Sequence, residues 1–132
     1  MKVLRINTEK RIQIIDITPE VQKAVEDSGI ESGICLVHSL HTTTALILNE
    51  NEPRLIEDLR NHLERLVPQR GSYSHNEIDS NADSHLRAIL LNSSLSLPVS
   101  DRKLFLGTWQ RILFVELDGP RTRNLIVEVV GR

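Results

Sequence analysis

The sequence predicts one α+β domain, residues 1–132, with largely antiparallel strands. Three observations predict it: alternating β-branched segments at both ends of the chain, three helical segments between them, and turn residues in place of linkers at the junctions. A chain of 132 residues can enclose one hydrophobic core. Its 39% apolar and 26% charged residues are the balance of a globular protein and exclude a disordered one.

Taken in order, residues 2–8 and 10–17 alternate as two strands, with Val3, Ile12, Ile14 and Ile17 as β-branched bulk. Thr18-Pro19-Glu20 then opens a helix: Thr18 is a capping residue, Pro19 suits the first helical position, and Gly29 stops it. Residues 34–48, ICLVHSLHTTTALIL, form an unbroken run. As one strand it would extend about 50 Å, so it must bend or reverse near 39–43, which places His41 and the threonines at a bend. Residues 53–66 read as an amphipathic helix with Leu55, Ile56, Leu59, Leu63 and Leu66 in one stripe. The polar stretch 68–80, holding Gly71, Tyr73 and His75, is the longest irregular segment. Asn81 caps a third helix whose buried face is predicted to be Ala82, Leu86, Ile89 and Leu90, with His85 beside it. Strands follow at 95–99, 103–106, 111–117 and 123–130, the last two joined by Asp118-Gly119-Pro120.

Composition narrows the function classes. A net charge of −2 gives no global positive field for nucleic acid. One cysteine, Cys35, permits no intrachain disulfide and fits a reducing cytoplasm; lying in an apolar run, it reads as a small buried hydrophobe. The opening MKVLRINTEKR lacks the apolar stretch of a signal peptide, and no segment approaches the roughly 20 apolar residues that cross a bilayer. The expectation is a cytoplasmic protein with neither nucleic acid nor membrane as partner.

The chain has five histidines, and position distinguishes them. His41 lies at the bend, His75 in the polar loop and His85 one turn into a capped helix, so all three are free to turn toward a common point. Three imidazoles with an open position describe a catalytic zinc-type site, although satisfied surface histidines explain the same residues and no HExxH or CxxC spacing is present. His38 reads as packed or at an interface, and His62 as a helix-edge residue paired with Asp58. Asn49-Glu50-Asn51-Glu52 is either a carboxylate-bearing site ahead of a helix or that helix's capping cluster. Asp79, Asn81 and Asp83 form a polar group before and within the His85 helix turn; the acidic pair is placed to complete a metal site or orient the imidazole, and capping explains Asn81 equally well. Trp109, in Gly107-Thr108-Trp109-Gln110, offers a flat face to a planar ligand or belongs to the core. Arg121 and Arg123 alternate onto one strand face suited to phosphate, or form a solvated edge pair. Glu116 falls on an apolar face and needs a buried partner.

HTTTALILNENE at 41–52, YSH at 73–75, NADSH at 81–85, LGTWQ at 106–110 and E-x-DGPRTR at 116–123 together resemble the YjbQ-like family, also called UPF0047 or the secondary thiamine-phosphate synthase family. The resemblance runs from about residue 30 to the C-terminus and more loosely through the N-terminal strands. It implies a β-sandwich with three helices, assembled as a homotrimer, and a pocket holding His41, Glu50, Asn51, His75, His85, Trp109, Gln110 and Arg123. The family often has glycine where this chain has Asn92 and Arg102.

Two functions follow as expectations. The first is a metal-dependent small-molecule enzyme that joins a pyrimidine diphosphate to a thiazole phosphate and releases pyrophosphate, or a metal-assisted phosphohydrolase. Glu50 and His75 would be its catalytic groups. Asn51, Trp109, Gln110, Arg121 and Arg123 would bind the phosphorylated substrate, and His41, His75 and His85 a divalent metal. Imidazole donors suit zinc, whereas diphosphate chemistry ordinarily uses magnesium. The second is a trimeric metal- or metabolite-binding protein without turnover.

Overall fold

Two antiparallel sheets face each other across one core in the computed structural model, which describes residues 1–132. In chain order the elements are β1 (Lys2–Asn7), β2 (Gln13–Asp16), α1 (Thr18–Ser28), β3 (Gly33–Ser39), β4 (Thr44–Asn49), α2 (Pro53–Leu66), a 3-10 turn (Ser74–Glu77), α3 (Ala82–Leu90), β5 (Ser94–Ser100), β6 (Lys103–Leu104), β7 (Arg111–Glu116) and β8 (Thr122–Gly131). One sheet runs β1-β8-β3-β5-β6 and the other β2-β7-β4. The bend required by the 34–48 run therefore does more than reverse the chain. It carries it from the larger sheet into the smaller one.

Alternation along the strands makes the core. Cys35 and Val37 of β3, Leu97 and Val99 of β5, and Leu125 and Val127 of β8 point inward from the larger sheet. They meet Leu46, Ile112 and Phe114 of the smaller one, while Val21, Ala24 and Val25 add the face of α1 and Ile17 packs just ahead of it. Burial pushes the Cys35 thiol up to about 11, so it packs as a hydrophobe. A second cluster of Ala45, Val115 and Leu117 lies on the opposite face of the smaller sheet, against Ala88 and Leu91. No helix is long and apolar enough to cross a membrane.

Helix ends depart from the sequence reading in an informative way. Thr18 does not cap α1: its N–H donates to Asp16 Oδ1 at 2.9 Å, and its hydroxyl accepts the Ile112 N–H at 2.8 Å. Gly29 closes the helix as expected, at φ 71°. Glu52 caps α2, accepting the Leu55 N–H. In α3 the predicted burial is wrong for three of four residues. Ala82 is buried, but Leu86, Ile89 and Leu90 are 39%, 74% and 61% exposed. The buried face is polar instead: Asp83 and Ser84 are inaccessible and Arg87 nearly so. Arg11 grips Asp83 with both terminal nitrogens, and Arg87 donates to the Val67 carbonyl and to Glu64. Ion pairing supplied from other elements thus overrides the helix's own apolar pattern. The expected His62–Asp58 pair does not form.

Asp101 and Arg102, between β5 and β6, adopt φ of 53° and 65°. Arg102 therefore takes the left-handed turn without glycine, at a cost of about 1–2 kcal/mol.

The two sheets are joined at one end by charge. Glu116, the last residue of β7, and Arg123, the second of β8, are buried and paired through two hydrogen bonds. Glu116 also accepts the Thr8 hydroxyl at 2.7 Å and the backbone N–H groups of Leu117 and Asp118, while Arg123 donates to Thr43 Oγ1 at 2.8 Å. Burial works to raise the Glu116 pKa, but the hydrogen bonds from Arg123 and Thr8 outweigh it and hold the carboxyl below its ordinary value. Glu116→Gln, which leaves the Arg123 cation buried without its counter-charge, should lower the unfolding free energy by about 3–5 kcal/mol in urea titrations. The wild-type contribution is complete above about pH 4.5, the ordinary value for the group, and is lost as pH falls through the lowered folded value. The variant should lack that acid-side slope; an unchanged slope would mean that Glu116 is not the titrating group.

Candidate functional site

The polar loop after α2 is held in shape locally. The Tyr73 hydroxyl donates to the Pro68 carbonyl at 2.6 Å, and Gly71 lies so close to the Tyr73 ring that a Cβ there would sit 2.4 Å from it. The 3-10 turn that follows presents His75 to the first turn of α3. There the His75 and His85 rings meet edge to face, with centroids 4.8 Å apart and planes at 75°. Both line a cleft of about 420 Å³ with Ser72, Tyr73, Ser74 and Leu86.

Asn81 decides which nitrogen of His75 is available. It stands at the N-cap position of α3, yet its side chain makes no capping bond; Asn76 Oδ1 accepts the Ala82 N–H instead. The Asn81 amide donates to Asp118 Oδ2 at 2.8 Å, which leaves Asn81 Oδ1 as the acceptor for His75 Nε2, at 3.0 Å. The neutral ring thus carries its proton on Nε2, and Nδ1 keeps the lone pair for a proton or a ligand. The same Asp118 carboxylate holds Arg121 at 3.1 Å. A His75–Asn81–Asp118–Arg121 chain therefore crosses from the polar loop to the turn before β8.

His41 is placed elsewhere. Its Nε2 accepts the Asn124 N–H at 2.8 Å, so in the neutral ring Nδ1 carries the proton and no lone pair remains for a metal. Burial lowers its pKa, assisted by Arg123 and Arg121 and opposed by Glu116. It lines a separate open cleft of about 490 Å³ with His38, Leu40, Thr42 and Ile89. No three His, Cys, Asp or Glu side chains are grouped to hold a metal ion. The expected three-histidine centre is accordingly not assembled by one chain. His75 and His85 come together, but His41 does not join them.

Other expected site residues are also dispersed. Asp83 is spent on Arg11 and Arg87, and Asp79 accepts the Ser80 N–H, so neither serves His85. Arg123 is buried and holds Glu116 and Thr43, while Arg121 remains exposed. Glu50, Asn51, Trp109 and Gln110 lie toward the far end of the smaller sheet. The β4–β7 ladder pairs Thr44 with Glu116 at the histidine end and Asn49 with Arg111 at the other. Five residue steps separate those ends by about 17 Å. Trp109 is 72% exposed and Gln110 folds back to accept the Gly107 N–H. Asn51 reaches toward Asp16, whose carboxyl is bound by Arg111; burial tends to raise the Asp16 pKa, but Arg111 and Thr18 outweigh it and lower the pKa. Asp118 is the site residue that sequence reasoning missed, because in Asp118-Gly119-Pro120 it reads as a turn former. Asn81 belongs to the polar group at His85, where capping explains it equally well, and the structure puts its side chain on His75 and Asp118 instead.

Two measurements check this geometry. Asn81→Ala should turn the single Nε2–H tautomer of His75 into a mixture in ¹⁵N NMR, with a stability loss of about 1–3 kcal/mol; an unaltered tautomer would remove Asn81 from the chain. His41 has a folded pKa below its ordinary 6.5, so the unfolded state binds the proton first. Stability should fall as pH drops below about 6.5, the ordinary value for the group, and His41→Gln should flatten that part of the curve.

Comparison with known proteins agrees with this fold. The family model described as UPF0047 protein YjbQ-like matches residues 2–132. A UPF0047 protein of Archaeoglobus fulgidus is 52% identical over 96% of this chain and 98% of its own length. YugU of Bacillus subtilis, also a UPF0047 protein, is 35% identical over 99% of each. The crystal structure of a YbjQ-like protein of unknown function from Sulfolobus solfataricus superposes with a TM-score of 0.97 at 41% identity, covering 99% of this chain and 96% of that one. With the family model matching nearly every residue and the same architecture in a crystallised relative, this chain belongs to the YjbQ-like UPF0047 family.

Proposed function

We propose that the protein is an enzyme acting on a phosphorylated small molecule in the cleft between the 3-10 turn and α3, with His75 as the proton-exchanging group. The observation that carries this reading is the tether of His75 Nε2 through Asn81 to Asp118, which leaves Nδ1 as the free basic atom beside His85. Two polar residues are diverted from local duties to orient one imidazole, the arrangement general acid–base chemistry requires. Arg121, exposed and sharing Asp118, supplies a guanidinium for a phosphate group.

Thiamine-phosphate synthesis is the first reaction to test. Release of pyrophosphate there needs cations more than a base, and Arg121 is the guanidinium linked to this cleft. Phosphate-ester hydrolysis needs a base to deprotonate water, and the free Nδ1 of His75 favours it as the second reading. A divalent ion of the zinc class is part of the proposal, held by His75 and His85. Since one chain provides only these two imidazoles, the remaining donors would come from water, substrate or another copy. Such an ion would supply charge neutralisation for phosphate oxygens. The assembly is proposed to be a trimer in the cytoplasm, formed through the outer face of the larger sheet, where Val3, Ile34, Leu36 and Val130 stand exposed.

Purified without a histidine tag, the protein should turn over thiamine precursors or a member of a phosphate-ester panel, and His75→Ala should reduce that rate at least about 100-fold with the oligomer intact. Absence of turnover on every substrate sinks the enzyme reading, and a fully active His75→Ala removes His75 from it. Failure to bind zinc or manganese discards the metal, and a monomer in sedimentation discards the trimer.

A further inference from the structure

At the end of the smaller sheet remote from His75, α2 stands off the strands it crosses. Only Leu63 of its 14 residues is buried, although five apolar residues form its stripe. Between the helix and the sheet lies a cavity of about 300 Å³. Leu55, Ile56 and Leu59 line it from the helix, Ile47 and Leu113 from the sheet, and Leu91 from the end of α3. Protein interiors rarely leave apolar walls of this extent without atoms against them. The volume is at the small end for ligand sites and matches one ring with a short substituent.

The mouth is polar, formed by Asn49, Glu50 and Asn92. Glu50 is the only charged residue lining the cavity, and its carboxylate has neither an ion pair nor a hydrogen bond; only its N–H is used, on Asn49. The cations nearest in sequence and ladder are already committed, Arg54 to Glu52 and Arg111 to Asp16. An apolar slot with one uncompensated carboxylate at its rim is complementary to an apolar ring that carries a positive charge.

We propose that this cavity binds a small single-ring organic cation, its ring between α2 and Leu113 and its ammonium or amidinium group on the Glu50 carboxylate. The site is distinct from the His75 cleft and does not depend on any activity there. It gives Glu50 a binding role in place of the catalytic one expected from its sequence position.

The test is a titration of the full chain with benzamidine, benzylamine, benzyl alcohol and benzoate, followed by NMR. The two cations should shift the signals of Glu50, Ile56 and Leu113 and bind about tenfold or more tightly than the other two, the order expected of one charge-assisted contact. Glu50→Gln should remove that preference while leaving benzyl alcohol binding unchanged. Ile56→Trp, which fills the slot, should abolish binding of all four, with folding of both variants verified by circular dichroism. Equal affinity for benzamidine and benzoate, shifts confined to another surface, or an undiminished cation preference in Glu50→Gln would each overturn the proposal. So would the absence of binding by any ring, the result expected if a second copy of the chain occupies the slot.

Discussion

Glu116 closes β7 in one sheet and Arg123 stands second in β8 of the other, so their buried ion pair ties the sandwich together where the chain passes between its layers. The turn 117–121 is suspended from it, because Glu116 accepts the N–H groups of Leu117 and Asp118, and Thr8 links Glu116 to the Arg121 backbone. Thr43, at the β3–β4 crossover, is attached through Arg123. A charged pair in such a place is costly to desolvate, and the cost is offset here because Glu116 accepts from Arg123, Thr8 and two backbone N–H groups while Arg123 also donates to Thr43. It fixes where Asp118 points, and through Asp118 and Asn81 where His75 points. The same Arg123 helps to keep His41 neutral.

The wall of the His75 cleft follows from a second exchange of apolar for charged burial. Arg11 and Arg87 meet Asp83 beneath α3, so the helix lies with its polar side inward. Leu86 then faces the His75 cleft and Ile89 the His41 cleft. Both clefts consequently have an exposed apolar wall beside an imidazole, which favours ring-bearing ligands and also contact with other protein surfaces.

Along β7 the chemistry divides. The Glu116 end gathers imidazoles, Arg121 and a fixed carboxylate, whereas Asn51, Trp109 and Gln110 lie toward the Arg111 end, where Glu50 stands at the rim of the cavity beneath α2. The six residues of β7 hold these two ends about 17 Å apart. Within one chain the motifs therefore form two neighbourhoods.

The sequence by itself determined the α+β class, the number and type of nearly every element, the break at 39–43 and the need of Glu116 for a buried counter-charge. Each of these follows from periodicity, chain reach or desolvation cost, which are local properties. Only the tertiary structure decided which residue answers each polar group: Arg123 for Glu116, Asn81 for His75 in place of the helix end, and the Asn124 N–H for His41. It also decided that Leu86, Ile89 and Leu90 face outward, because the charges that turn α3 over come from Arg11, 72 residues away from Asp83, and from the end of α2. A hydrogen-bonding group can be recognised along the chain, but its partner is chosen by contacts between elements distant in sequence.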